Sequence, residues 1–299
     1  MNKSSPKILV VDDEPQNLEI IQEYLEDETC CGATLYDDSQ KAWQALEVAP
    51  DKYDVILLDW MMPELDGLEM LYRIKQHPDL KFTPVIMQTA RSDKQDILRG
   101  LAAGAFYYLT KPYNHDSLIQ IVKAALEDIN RFRQLESILH QSGETQTLDT
   151  ETEFEFSSLN DADHLAMVLA NSCPEPDKVI TGISELLINA IEHGNLQIGY
   201  KEKSDLKKQG IWREEIERRL QLPQHADKSA NVSYCRNGSS IKITISDNGK
   251  GFDWKNFLEF SPERAFDNHG RGIAMARLMS FDDLQYNEIG NKVTAIINL

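Results

Sequence analysis

Two short unbroken apolar runs, Ile8-Leu9-Val10-Val11 and Val55-Ile56-Leu57-Leu58, each stop at carboxylates: Asp12 and Asp13 after the first, Asp59 after the second. Runs of this length without alternation are what strands of a parallel sheet look like when helices cover both faces. Such a sheet delivers its strand ends to one edge, so the three acids are expected side by side there. Carboxylates packed together repel unless a hard cation such as Mg²⁺ neutralises them, and Mg²⁺ keeps positions for water or a phosphoryl donor. Pro84-Val85-Ile86-Met87 leads to Thr89, and Ala105-Phe106-Tyr107-Tyr108-Leu109 leads to Lys111 and Pro112. A hydroxyl and an ammonium therefore join the same edge, which suits a carboxylate that is to carry a phosphoryl group.

This set resembles the receiver domain of two-component response regulators, over roughly the first 125 positions. The matching residues are Asp12 and Asp13, Asp59 before Trp60-Met61-Met62-Pro63 and Asp66-Gly67, then Thr89 and Lys111-Pro112. The resemblance implies a flavodoxin-like, doubly wound α/β unit of five parallel strands in the order 2-1-3-4-5. It makes Asp59 the nucleophile that becomes aspartyl phosphate, with Mg²⁺ held by Asp12, Asp13, Asp59 and the backbone carbonyl of Met61. Lys111 would pair with the phosphate and Thr89 would hydrogen-bond it. Tyr108 would be the aromatic switch that turns inward when Thr89 moves, and a sensor histidine kinase would be the upstream partner. Lys111-Pro112 is a candidate cis bond, since only X–Pro bonds make that form cheap. Phosphorylation adds a charge of about −1.5 to −2, enough to bias two packings of the face around the last strand.

At 299 residues the chain has room for about two domains. Its net charge of −18 argues against nucleic acid as a partner, because a footprint on phosphates needs a basic face. Met1 leads straight toward the first strand without a signal peptide, and no apolar stretch approaches the ~20 residues of a membrane span. The expectation is a cytoplasmic protein with no membrane contact. Cys30, Cys31, Cys173 and Cys235 show no metal-ligand spacing and read as reduced thiols.

From Asn114 to about Gln141 the sequence has no glycine or proline. Leu118, Val122, Ala125, Ile129, Phe132 and Leu139 form a stripe there, interrupted by Glu136. The stripe suits a coiled coil joining two protomers as a homodimer, while its first half suits packing on the preceding sheet as a fifth helix. His140 lies in Ser137-Ile138-Leu139-His140-Gln141-Ser142, which lacks the acidic residue expected after a phospho-accepting histidine. It reads as a solvated helix residue. Residues 142 to 152 read as a flexible joint.

The second half carries Glu185-Leu186-Leu187-Ile188-Asn189-Ala190-Ile191-Glu192-His193-Gly194-Asn195. Glu185 and Asn189 stand one helical turn apart on one face, with Glu192 or His193 next in the series. The alternating strand Ile241-Lys242-Ile243-Thr244-Ile245 precedes Asp247-Asn248-Gly249-Lys250-Gly251, and His269-Gly270-Arg271-Gly272 opens an apolar helix. Glycines let backbone approach a ligand closely, and a helix start after a glycine-rich turn favours an anion. An acid, a carboxamide and a phosphate cradle describe a nucleotide pocket with a metal.

These segments resemble the N, G1 and G2 boxes of the GHKL (Bergerat-type) ATP-binding fold, an α/β sandwich with a mixed sheet. By this resemblance Asn189 coordinates the Mg²⁺ that bridges the ATP phosphates, and Asp247 accepts from the adenine amino group. Gly249 and Gly251 line the adenine, Gly270, Arg271 and Gly272 face the phosphates, and Thr294 supports Asp247. The stretch from Gly251 to Gly270 would be the ATP lid. The N box Asn-Ala-Ile-Glu-His-Gly is most similar to the anti-sigma-factor serine kinases, in which Glu185 would be the general base toward a serine of an antagonist protein.

The expected organisation is a receiver domain over 1–125, a helical linker over 126–151 and a GHKL domain over 152–299. The expected activity is an ATP-dependent protein serine/threonine kinase controlled by Asp59, with an anti-sigma antagonist or a sigma factor downstream. The alternative is an ATP-binding module that sequesters its partner and transfers nothing; a degenerate histidine kinase ranks third. A charged insertion between Gly199 and Gln224, with the amphipathic stretch Trp212–Leu220, could dock a partner, cover the pocket or be a solvated surface.

Overall fold

The computed structural model describes residues 5–28, 31–90, 94–141, 148–258 and 272–299. They form two compact units whose division falls between Phe132 and Arg133, inside one helix.

In the first unit, strands β1 (Lys7–Val11), β2 (Gly32–Tyr36), β3 (Val55–Asp59), β4 (Val85–Thr89) and β5 (Tyr107–Thr110) form one parallel sheet in the order β2-β1-β3-β4-β5. This is the expected doubly wound order. Side chains on successive strand residues point to opposite faces. Leu9, Val11, Ile56 and Leu58 accordingly enter one core, and Ile8, Val10, Val55 and Leu57 enter the other. Helices α1 (Pro15–Glu28), α2 (Ser39–Val48), α3 (Gly67–Gln76), α4 (Lys94–Ala102) and α5 (His115–Gln141) complete the winding. Asp38 and Asp66 cap α2 and α3 by accepting the backbone N–H of Lys41 and Glu69. Near the end of α3 the Lys75 ammonium donates to the carbonyls of Lys81 and Thr83, and burial pushes its pKa down to about 8.

Helix α5 bears on the coiled-coil expectation. Leu118, Val122 and Ala125 belong to the first unit's core, and the Phe132 ring stacks on Phe82 with centroids 4.4 Å apart. Ile129, Leu135 and Leu139 are buried as well. The stripe expected to join two protomers is thus covered within the single chain, because apolar spacing reports that a face is buried and not what buries it. The helix continues through His140, whose side chain lies outside the described residues.

The second unit holds strands β6 (Glu151–Phe156), β7 (Ala230–Arg236), β8 (Ser240–Ser246), β9 (Asp283–Tyr286) and β10 (Lys292–Asn298) in the order β6-β7-β8-β10-β9. Every pairing is antiparallel, so the expected mixed sheet is corrected. Alternation fixes which residues face inward but carries no strand direction. The tight turn at Asn237, whose Oδ1 accepts the N–H of Ser239 and Ser240, folds β7 back onto β8. Helices α6 (Leu159–Asn171), α7 (Pro176–Asn189) and α10 (Gly272–Met279) form the second layer, with α7 packed against both others. A capping box between Ser158 and Asp161 starts α6, and Pro176 occupies the first turn of α7. Helix α7 runs into a π turn, Ala190–Asn195, followed by α8 (Tyr200–Lys208) and α9 (Trp212–Leu220).

Among the described residues, no helix is long and apolar enough to cross a membrane. Cys31 is buried, and Cys173 and Cys235 are free, with burial pushing the Cys173 thiol up to about 12. Cys30 lies outside the described residues.

Candidate functional site

At the carboxyl edge of the first sheet, the Lys111 ammonium lies 2.6 Å from Asp12 Oδ2 and 2.5 Å from Asp59 Oδ1. Asp12 is wholly buried and Asp59 nearly so. Asp59 Oδ2 accepts the backbone N–H of Met61 at 2.8 Å. Burial raises the Asp59 pKa even though Lys111 pulls it down, and the Asp12 charge adds to the rise. Burial works against the Lys111 ammonium too, but its hydrogen bonds to Asp12 and Asp59 outweigh this and hold its pKa above the ordinary lysine value.

Asp13 stands at the rim, lining an open cleft of ≈ 530 Å³ with Met61 and Asp66. Among the described residues, no three acid, histidine or cysteine side chains come close enough to enclose a metal by themselves. Asp12, Asp13 and Asp59 would therefore need the Met61 carbonyl and water to complete a metal site. The cation shared by Asp12 and Asp59 is Lys111. Two buried carboxylates against one ammonium still leave surplus negative charge beside Asp13, and a Mg²⁺ site needs only one or two carboxylates with waters and carbonyls. The donor set fits that ion.

Thr89 and Tyr108 are both buried, and Lys111-Pro112 is cis as expected. Tyr108, expected to turn inward on a signal, already lies inward here, edge-on to Trp60 with ring centroids 5.7 Å apart. The sequence reading missed Asn17, whose amide donates to Asp12 Oδ1 at 3.0 Å, and Tyr113, whose hydroxyl bonds Gln88. Asn17 stands in the first turn of α1 and Tyr113 follows the cis proline, so their nearness to the acid cluster was the available signal.

Residues 8–123 match the family described as response regulator receiver domain. The N-terminal unit is a response regulator receiver domain. Over 121 residues the chain is 36% identical to the phosphate regulon transcriptional regulatory protein PhoB of Rhizobium meliloti, covering 40% of this chain and 52% of that protein. Over 120 residues it is 38% identical to the transcriptional regulatory protein CpxR of Escherichia coli, covering 40% of this chain and 49% of that protein. The chain thus spans about half the length of the curated relatives it matches. A solved Francisella receiver domain, response regulator 1452, is 34% identical with a TM-score of 0.39, covering 41% of this chain and 97% of that one. The receiver match ends before the second unit begins.

In that second unit Glu185, Asn189, Asp247, Gly251 and Gly272 line one cavity of ≈ 390 Å³, within the roughly 300–1,000 Å³ of small-molecule sites. The Asn189 amide nitrogen donates to Glu185 Oε1 at 3.1 Å, which leaves its carbonyl oxygen as an acceptor. Asp247 accepts the N–H of Gly249 at 2.7 Å, yet burial lifts its pKa to about 6. A Cβ at Gly194 would stand 2.3 Å from Asp247 Cγ, and one at Gly272 would stand 2.0 Å from Glu185 Oε1, so both carboxylates are packed against bare backbone. Gly251 has φ +75°, a conformation that only glycine adopts cheaply.

One site expectation changes. The Thr294 hydroxyl pairs with Thr244 at 3.0 Å rather than with Asp247, whose backbone carbonyl instead receives the Asn291 amide. Facing hydroxyls on directly opposed strand residues satisfy each other first. Gly270, Arg271 and most of the expected lid lie outside the described residues. Missed entirely was Tyr286, which lines the cavity; burial raises its pKa, and the charges of Glu185 and Asp247 add to the rise.

Proposed function

We propose that the chain is a response regulator whose second unit binds Mg·ATP and phosphorylates a serine on an antagonist protein under the control of Asp59. The observation that supports this most is the gathering of Glu185 and Asn189 from one helix, and Asp247 from a distant stretch of sequence, around one cavity edged by glycines. In the receiver, Asp59 attacks the phosphoryl group brought by a sensor histidine kinase. Lys111 keeps a negative partner before and after transfer, first the carboxylate and then the phosphate. Asp12, Asp13, Asp59 and the Met61 carbonyl would hold Mg²⁺, which offsets the charge gathered as phosphate reaches an acidic site. Thr89 would hydrogen-bond the phosphate, and Tyr108 would report its position to the surface.

In the second unit Asp247 accepts from the adenine amino group while Gly249 and Gly251 admit the ring. Asn189, through its carbonyl oxygen, would hold the Mg²⁺ that supplies charge neutralisation on the phosphates, and Gly270, Arg271 and Gly272 would be the residues that face them. Glu185, one turn before Asn189, takes the proton of the incoming serine. Phosphoryl transfer is mainly positioning and charge stabilisation, so one such base is sufficient chemistry. The net charge of −18 makes a protein a better downstream partner than DNA, and an anti-sigma antagonist or a sigma factor is the class proposed.

One observation favours a second reading, an ATP-binding module that sequesters its partner without transfer. Glu185 is already engaged by Asn189 and packed against Gly272, as a structural carboxylate would be. Labelled ATP with candidate antagonist proteins separates the two: the kinase reading expects labelled serine that is lost in Glu185→Ala. Transfer unchanged in that variant would remove the base assignment. Beryllofluoride at Asp59 is expected to alter ATP turnover or partner affinity, and identical kinetics with the mimic and with Asp59→Asn would remove the control.

A further inference from the structure

The insertion between Gly199 and Gln224 is built into the second unit's cavity. Ile216 of α9 is wholly buried, and Arg219 joins α9 to Glu202 of α8 and to the carbonyl of Leu196. At the centre stands Glu192 of the π turn, also wholly buried. One carboxylate oxygen lies 2.7 Å from the Lys203 ammonium of α8, and the other accepts the Trp212 indole N–H of α9 at 3.0 Å. Lys203 lines the same cavity as Asn189 and Asp247.

We propose that Lys203 contacts a phosphate of the nucleotide in this cavity, held in place by Glu192, and that Trp212 senses its occupancy. This rests on reading the cavity as a nucleotide site. The competing account is that Lys203 merely neutralises Glu192. An ammonium, however, has three N–H donors and Glu192 engages one side of it. The Lys203 side chain is only 12% exposed. Among the described residues Glu192 is its one ion-pair partner. An ammonium fixed in this way in the wall of a cavity that Glu185 and Asp247 also line is what an entering phosphate requires. Lys250 and Lys292 also line the cavity but are exposed, so water screens them.

The test measures Mg·ATP and adenosine binding to the full chain by calorimetry, comparing wild type with Lys203→Met/Glu192→Gln. The double change leaves no buried charge alone. Lys203→Gln, which keeps a donor for Glu192, is the second variant should the first fold poorly. The expected result is a loss of Mg·ATP affinity of about tenfold to hundredfold, as for a charge-assisted hydrogen bond, with adenosine changed less than about twofold. Mg·ATP is also expected to shift tryptophan emission in wild type and to do so less in Trp212→Phe. Equal losses for ATP and adenosine, or no loss, would overturn the phosphate contact while leaving the nucleotide site standing. Wild type that binds neither ligand would overturn the nucleotide reading and this inference with it.

Discussion

Asp59 and Asp247 are the same device set in two environments. Each sits at the end of a strand, each accepts the backbone N–H two residues on, and in each burial lifts the pKa. The difference is Lys111. Beside Asp59 an ammonium pulls the carboxyl back toward ionisation, whereas Asp247 has only the Gly249 amide and reaches about 6. A carboxylate set against a cation is equipped to take a phosphoryl group and hand its partner a new anion. A carboxylate buried without a cation is equipped to accept a hydrogen bond from a neutral group such as an amine on a base. The neighbour assigns the role, not the acid.

The largest expected effect follows from the first half of this contrast. Asp59→Asn is expected to abolish labelling of the receiver by a small phosphoryl donor, read on a phosphate-affinity gel, while Asp13→Asn leaves the acceptor itself in place. Label persisting in Asp59→Asn would move the acceptor elsewhere. Lys111→Met strands Asp12 and Asp59 without their shared cation, and urea unfolding should show a loss of about 3 kcal/mol. Adding Asp59→Asn should recover part of it; no recovery would mean the ammonium is not what stabilises the pair.

The second half of the contrast predicts a pH dependence. Asp247 is an acceptor when ionised, so nucleotide affinity should be full above pH 6 and fall as pH drops through about 6, approaching tenfold per unit. Asp247→Asn should flatten this profile. For folding the sign is opposite. Between the ordinary value of 3.8 and about 6, the folded chain holds a proton that the unfolded chain releases. Asp247 therefore withdraws stability as pH rises through that window. The smallest effect belongs to Thr294→Val, which leaves Thr244 without its hydroxyl partner and should cost about 1 kcal/mol of stability with nucleotide affinity unchanged. A marked loss of affinity would return Thr294 to the Asp247 site.

How much was legible follows the same physics. The receiver edge could be read because parallel strands buried on both faces are continuous apolar runs, and the residue after each run is fixed in space by the sheet. Glu185 and Asn189 were legible because one helical turn separates them. The Lys203–Glu192–Trp212 contacts were not, since the three residues sit on three elements and no period connects them. The antiparallel second sheet was missed because alternation has no arrow. The stripe on α5 was read correctly as buried, but its partner lies in tertiary structure that spacing does not encode.

The π turn after α7 carries one residue more than a regular turn would hold. Removing Ile191 would let the helix close normally and swing everything downstream by about 100°. Glu185 and Asn189 lie upstream and would stay. Gly194 would leave Asp247, and Asn195 would lose the Asn248 backbone amide that it now accepts at 3.1 Å. A single deletion should therefore uncouple the Glu185–Asn189 side of the cavity from the Asp247 side, turning one pocket into two unrelated surfaces.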